Sequence, residues 1–383
     1  MIRWRRGEVV RVRREWPGAV ELDVATEEGG ARALAYPALV GRPEPGDTVL
    51  LNTTALAMGL GTGGYAMVVA IPDRLPEDPD GPGHLVKARY TPLQATVLGA
   101  DEQDSPHHGL LREADSLGGM PVVVADLHSA LPAVLCGLYG TRPHARVAYV
   151  MLDGGALPAW FSMSCARLKE AGWLGGTVTV GQAFGGDVEA VTVHTGLLAA
   201  RYVLEADVAI VTQGPGNLGS GTRWGFSGVS AGEAVNAAAV LSGRPVAALR
   251  VSEGDRRERH LGLSHHSLTA YGRVALAPAL VAVPELPGDF GARVAEQARP
   301  LGGRHELVPV SVDGLHEALK GSPVRLSTMG RGLEEDLAYF LTSAAAGRLA
   351  ASLLDPDRPS EDPADPVSPP PPADPASPPP PGS

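Results

Sequence analysis

Between residues 120 and 350, short and nearly continuous apolar runs alternate with longer stretches whose apolar residues recur at helical spacing. The apolar runs predict strands at 121–125, 146–152, 177–181, 208–212, 246–251, 273–277 and 307–312. The helical spacing predicts helices at 130–138, 158–171, 194–204, 231–241, 265–271, 290–299 and 333–349. Alternation of this kind builds βαβ units, so the fold class expected for 119–350 is α/β: a mostly parallel open sheet with helices on both faces. Residues 1–72 follow another rule. Five short β-branched runs (8–12, 20–24, 32–36, 48–52 and 65–71) are separated by Gly, Pro and Asp turns, which predicts a small all-β, barrel-like domain. Residues 73–118 read as a linker with an edge strand at 84–90, a helix at 92–98 and a polar loop over 101–115. The tail, 355–383, holds 13 prolines in 29 residues with almost no apolar side chains, and is expected to be disordered.

The loops of the α/β region are unequal. Those after the predicted strands are long and rich in Gly, Asp, Ser and His: DLHS (126–129), GQAFGGDVE (181–189), TQGPGNLGSGTRWGFSG (212–228) and SEGDRRERHLGLSHHS (252–267). Those before the strands are short and bland. In an open α/β sheet ligands bind beyond the carboxyl ends of the strands, so the long set marks the expected functional rim.

Composition narrows the class. Hydrophobic residues make up 44% of the chain and mean hydropathy is near zero, as in soluble globular proteins. Net charge is −11, but the tail alone carries six acidic residues against one arginine, so the body is only mildly acidic. No run approaches the roughly 18 apolar residues that cross a bilayer. The arginine-rich start lacks the apolar segment of a secretory signal. Cys136 and Cys165 sit in no paired motif, and a reducing cytoplasm is the simplest compartment. Arginines at 3, 5, 6, 11, 13 and 14 beside Trp4 and Trp16 raise nucleic acid as a partner. Arg11 and Arg13 alternate with valines as on an exposed strand face, and no cluster of aromatics forms a stacking platform, which disfavours it.

Three short motifs are weaker than they look. GLGTGG (59–64) has dinucleotide spacing but no helix follows to receive a pyrophosphate. GPGNLG (214–219) follows a strand, yet its helix starts about ten residues too late for that fold. GVSAG (228–232) spells a nucleophile elbow without the strand that must run into it. Ser230 with Glu233 is better read as a capping box.

The candidates for chemistry lie in the long loops. Asp126 and His128 flank Leu127, so extended backbone would point both to one face, as metal ligation or acid/base pairing needs. Asp187, after the glycines of 181–186, is expected either to meet a ligand or to cap the next helix. Gly214, Gly216 and Gly219 can form an anion-binding nest, with Thr222 and Arg223 adding a hydroxyl and a guanidinium. Densest is 255–267, with Arg256, Arg257, Arg259, His260, Ser264, His265 and His266. Ser264 reads as an N-cap that places His265 and His266 in a first helical turn, where neutral imidazole is favoured.

The segments VVVADLHS (122–129), GQAFGGDVEAV (181–191), GPGNLGSGTRWGFSG (214–228) and RHLGLSHHSLTA (259–270) together resemble an uncharacterised bacterial domain family of unknown function, over about residues 1–350. The resemblance implies that the four segments act as one unit and carries no reaction, cofactor or substrate. The residues themselves support a protein acting on a small anionic, phosphate- or carboxylate-bearing molecule. In that reading Gly214, Gly216, Gly219, Thr222, Arg223, Arg257, Arg259 and His260 bind it, and His265 or His266 acts as acid/base, oriented by Asp126 or Asp187. Two alternatives stand beside it. One is a metal-dependent hydrolase with a divalent ion on Asp126, His128, Asp187 and a C-terminal histidine; the other is a non-catalytic sensor or assembly module.

Overall fold

The computed structural model describes residues 1–355; most of the tail lies outside them. Strands β1 (Trp4–Trp16), β2 (Ala19–Thr26), β3 (Gly29–Ala35), β4 (Thr48–Asn52) and β5 (Ala66–Ala70) close into a barrel in the order β1-β2-β3-β5-β4. Only the β3–β5 pair is parallel. Alternate residues such as Val20, Leu22, Val24, Val49, Leu51 and Val68 fill the interior. Single helical turns α1 (Pro37–Val40) and α2 (Thr54–Ala57) cross between strands, and the GLGTGG stretch connects α2 to β5 with no helix after it. Two register shifts in β1 break the expected Arg/Val alternation and leave Val10 exposed. The arginines of its face meet acids on β2: Arg11 and Arg13 pair with Asp23, and Arg13, Arg14 and Arg32 surround the buried Glu21.

Residues 92–98, expected as a helix, instead contribute β7 (Ala95–Val97), which pairs antiparallel with β6 (Leu85–Lys87). The β-branched pair Thr96 and Val97 favours extended backbone, and pairing with β6 outweighs the weak helical spacing. The polar loop contains a short helix, α3 (His108–Glu113).

Eight parallel strands follow: β8 (Pro121–Val124), β9 (Val147–Leu152), β10 (Gly176–Thr179), β11 (Val188–Glu189), β12 (Val208–Gln213), β13 (Arg244–Ala248), and, beyond the hairpin β14 (Val251–Ser252)–β15 (Gly262–Leu263), β16 (Leu280–Glu285) and β17 (Glu306–Ser311). Their order is β11-β10-β9-β12-β8-β13-β16-β17. A last hairpin joins β18 (Ser327–Thr328) to β19 (Arg331–Gly332). The helices are α4 (Leu131–Tyr139), α5 (Met163–Glu170), α6 (Val193–Tyr202), α7 (Ser230–Val240), α8 (His265–Thr269), α9 (Gly288–Ala298), α10 (Leu315–Lys320) and α11 (Leu337–Ser352). Helices α4, α5, α10 and α11 pack on the sheet face that carries Val123, Tyr149, Met151 and Ile210. Helices α6, α7 and α9 pack on the face of Val122, Val124, Val150 and Val211. The expected α/β class is therefore met, with every strand pair of the large sheet parallel.

One predicted strand is displaced. Residues 270–274 form a π-helical turn continuing α8, and the strand lies at β16 instead. Both stretches are apolar. The buried hydroxyl of Tyr271 donates to the carbonyls of Val124 and Ala248, which anchors the turn across β8 and β13 and leaves the next apolar run for the sheet. Helix α5 also starts late, after a 3₁₀ turn at Ala159–Phe161, where the hydroxyl of Ser162 caps the helix by accepting from the Cys165 amide.

Two contacts set how the pieces sit. The indole N–H of Trp16 donates to the carbonyl of Trp160 at 2.7 Å, and Trp160 lies against Tyr36 and over Gly18, binding the barrel to the segment before α5. A Cβ on Gly18 would fall 2.2 Å from that indole. Helices α4 and α11 touch through glycine: a Cβ on Gly347 would lie 1.9 Å from the Val134 carbonyl oxygen, and one on Gly137 only 1.8 Å from that of Ala344.

Candidate functional site

The chain leaves β8 and β9 for helices on one face of the sheet, and leaves β12 and β13 for helices on the other. Since β12 lies between β9 and β8, and β13 on the far side of β8, a crevice opens at the carboxyl ends of these strands. Three buried polar residues stand there: Asp126 after β8, Gln213 at the end of β12 and Arg250 after β13. Gln213 Nε2 donates to the Asp126 carbonyl at 2.7 Å and to Asn217 Oδ1 at 3.0 Å, which ties the glycine-rich loop to β8. Gln213 Oε1 is buried with no hydrogen-bond partner among the described residues.

Around Arg250 the loop after β13 delivers its histidines. The expected N-cap forms: Ser264 Oγ accepts from the His266 amide and also lies 2.7 Å from His260 Nδ1. His266 Nδ1 is 3.1 Å from Arg250 Nη1 and 3.4 Å from Asp126 Oδ2. Phe226, at the end of the glycine-rich loop, stacks on the His266 ring. One nitrogen each of His260, His265 and His266 lies within 4.8 Å of the other two, the one such group of three among the described residues. His265 Nε2 is buried and makes no hydrogen bond among the described residues.

Burial and neighbouring positive charge keep His260 and His265 neutral. Burial, with Arg250 next, pushes His260 down to about 3; burial, with His266 and Arg259 next, pushes His265 down to about 4. Burial works to raise Asp126, but the hydrogen bond from His266 and the charge of Arg250 outweigh it and hold the carboxyl below its usual range. The crevice thus holds the Asp126–Arg250 pair beside the neutral rings of His260 and His265, and His265 Nε2 has no hydrogen-bond partner among the described residues.

The other sequence candidates divide. Arg259 is exposed beside the cluster, and a Cβ on Gly221 would be 3.8 Å from its guanidinium, so the tips of both long loops meet. Gly216, Gly219, Thr222 and Arg223 lie on the exposed part of the loop, while Gly214 is buried. Thr222 Oγ1 accepts from the Gly225 amide and shapes the turn. Arg257 is bidentate to Asp255, which Arg331 also approaches at 3.5 Å. Arg331 in turn holds the fully buried Asp336, which accepts from Ser252. That network fastens the histidine loop to the start of α11.

Asp126 and His128 do not share a face. His128 turns to the opposite side of the sheet, with Nδ1 2.9 Å from the Tyr149 hydroxyl and Nε2 2.7 Å from that of Ser162. Leu127 is buried between them, and the 3₁₀ turn starting at His128 ends the extended backbone that would have aligned the two. Burial lowers His128 to about 4 and raises Cys165, 3.9 Å away, to about 12, so no thiolate–imidazolium pair exists there. Asp187 neither reaches the rim nor caps a helix. Its loop doubles back along β10, where the carboxylate binds Lys169 and accepts from the amide and hydroxyl of Thr177; the cap of α6 is Thr192. The metal set Asp126, His128 and Asp187 is therefore not assembled. Ser230 is likewise no N-cap. A 3₁₀ turn at Ser227–Val229 starts the helix earlier, and its hydroxyl donates back to the Ser227 carbonyl.

Arg250, Phe226 and Gln213 escaped sequence reasoning. Arg250 and Gln213 had a signal, Arg250 being the one charged residue within the apolar run 246–251 and Gln213 the polar residue that follows the run 208–212. Phe226 had none, because its role depends on a loop closing onto another.

Fold and site together define a doubly wound α/β protein with an appended five-stranded barrel and a histidine cluster at its switch point. The chain belongs to the family described as protein of unknown function (DUF3866), which it matches over residues 32–347. No curated protein and no solved structure matches it. No helix among the described residues is long and apolar enough to cross a membrane.

Proposed function

We propose that the protein binds and acts on a small phosphate- or carboxylate-bearing molecule at the crevice between β9, β12, β8 and β13. The supporting observation is electrostatic. Arg259, at the meeting tips of the two long loops, and Arg223, two residues on from Gly221, form no ion pair with a carboxylate among the described residues, and Arg259 borders His265, which burial holds neutral. Unpaired guanidinium over uncharged rings favours an anion, because a bidentate contact there completes the arginines' hydrogen bonding and no fixed acid competes. Arg256, also exposed, extends the same positive margin, whereas Arg257 is committed to Asp255 and shapes the loop. A cavity of about 220 Å³ lies at the base of the glycine-rich loop, lined by His128, Ser129, Gly216, Asn217 and Arg325 among others, and has room for a compact molecule.

The test is a thermal-shift and calorimetric screen of the full chain against phosphate, pyrophosphate, phosphorylated metabolites and dicarboxylates. Stabilisation by at least one class, weakened about tenfold or more in the Arg223→Ala/Arg259→Ala double variant, is the expected result. An unaltered response in that variant, or no response of the wild-type chain to any anion, would reject the reading.

A further inference from the structure

We infer that His260, His265 and His266 form a transition-metal site with an open coordination position, and that this ion is what meets the anion; the inference rests on the reading above.

Three observations carry it. One nitrogen from each ring already lies within 4.8 Å of the others, whereas tetrahedral ligation at about 2.05 Å needs separations of about 3.3 Å. The required contraction is small for histidines at the end of a loop and in a first helical turn. His265 Nε2 is buried and unpartnered, which is costly for a polar atom unless something else fills its lone pair. The remaining rings are oriented as ligating histidines are. Ser264 holds His260 by Nδ1, Arg250 Nη1 and Asp126 Oδ2 face His266 Nδ1 at 3.1 and 3.4 Å, and Nε2 of neither ring makes a hydrogen bond among the described residues. Arg250 can only donate, so ligation through His266 Nε2 has the Nδ1 hydrogen on Asp126 and Arg250 turned to that carboxylate, 3.5 Å from its Oδ2; a carboxylate so placed fixes the imidazole's tautomer and raises its basicity.

The donor set selects the ion. Three imidazoles and no carboxylate suit zinc, cobalt, nickel, copper or iron rather than magnesium or calcium. Three protein ligands leave a position for water or for a ligand oxygen, the pattern of catalytic rather than structural sites. There the ion would polarise a phosphoryl or carboxyl oxygen or acidify bound water. Arg259, beside the cluster, is placed to hold the rest of the anion.

The experiment uses the full chain, stripped with chelator and then dialysed against zinc or cobalt. About one equivalent of zinc per chain is expected, with a cobalt spectrum of four- or five-coordinate type. His265→Ala, at a half-buried position, should retain the wild-type circular dichroism while metal content falls below about a tenth of an equivalent. His194→Ala, on the exposed start of α6, should bind as the wild type does. Stoichiometry unchanged in His265→Ala, or a wild-type chain that takes up neither ion, overturns the site. The two proposals fail separately. Phosphate binding by a chain that takes up no metal removes the site alone, and metal uptake without any anion response removes the ligand reading, and the ion's part in it, while leaving the metal site.

Discussion

Phe226 lies flat on His266, with ring centroids 3.7 Å apart and planes 6° from parallel. The two residues come from loops that leave β12 and β13, strands separated in the sheet by β8. Their stack closes the glycine-rich loop over the histidine cluster and presses one imidazole into a fixed plane. Phe226→Leu keeps most of the buried volume, so unfolding free energy should fall by only about 1 kcal/mol. Loss of the flat surface frees His266, and phosphate-induced or zinc-induced stabilisation should drop by more than the loss in basal melting temperature. Equal drops would make Phe226 simple core.

Asp126 and Arg250 are buried together 3.5 Å apart, with His266 Nδ1 3.4 Å from the carboxylate, and among the described residues neither forms an ion pair with another Asp, Glu, Lys or Arg. Removing one partner strands the other. Asp126→Asn should cost about 3 kcal/mol in urea unfolding, and the double variant Asp126→Asn/Arg250→Met should recover part of it. Additive losses in that cycle would show that the two residues act independently.

His128 predicts a pH dependence with a definite sign. Its folded value is about 4 against 6.5 for the free side chain, because burial opposes the charged ring. The unfolded chain therefore takes up a proton as pH falls through 6.5, while the folded chain does not until about 4. The stability contributed by the neutral ring is complete above 6.5 and is lost through that window, by up to about 3 kcal/mol at its acid end. Urea unfolding of His128→Phe should show a shallower loss between those limits than the wild type. Parallel curves would refute the assignment.

Lys87, from β6, is buried at the sheet edge, where its ammonium donates to the carbonyls of Ala183 and Ala190 and lies 3.5 Å from Glu189. Burial lowers Lys87 and raises Glu189, so each depends on the other to stay charged. Lys87→Met should destabilise by about 3 kcal/mol and speed proteolysis within 73–118, and Lys87→Met/Glu189→Leu should restore much of both. Cleavage unaltered by Lys87→Met would mean that the linker is held by other contacts.

Gly347→Ala adds a single methyl where α11 meets the Val134 carbonyl. Backbone must move to admit it, so a loss of at least about 2 kcal/mol is expected by calorimetry despite the better helix propensity of alanine. A stabilised variant would mean that the helices part without cost.

Much of the architecture was legible because it rests on local signals. Continuous valine-rich runs such as 121–124 and 208–211 can be stable only as strands covered on both faces, and their spacing left room for one crossover each. Ser264 was legible as a cap for the same reason: its partner is the amide two residues on. Errors arose where two local readings were nearly equal and a distant contact chose. Tyr271 reaching β8 and β13 made a π turn of an apolar run, and pairing with β6 made a strand of a weak helix.

The sequence by itself determined the alternation of strands and helices, the separate character of the first 72 residues and the rim on which polar loops gather. Each follows from periodicity and turn chemistry acting over a few neighbours. Only the tertiary structure decided which loop residues share a crevice. It sent His128 to the far face, bound Asp187 to β10, and brought Arg250 and Phe226 to the histidines. Strand order and loop closure are set by the summed burial of whole faces, and no short stretch of sequence carries that sum.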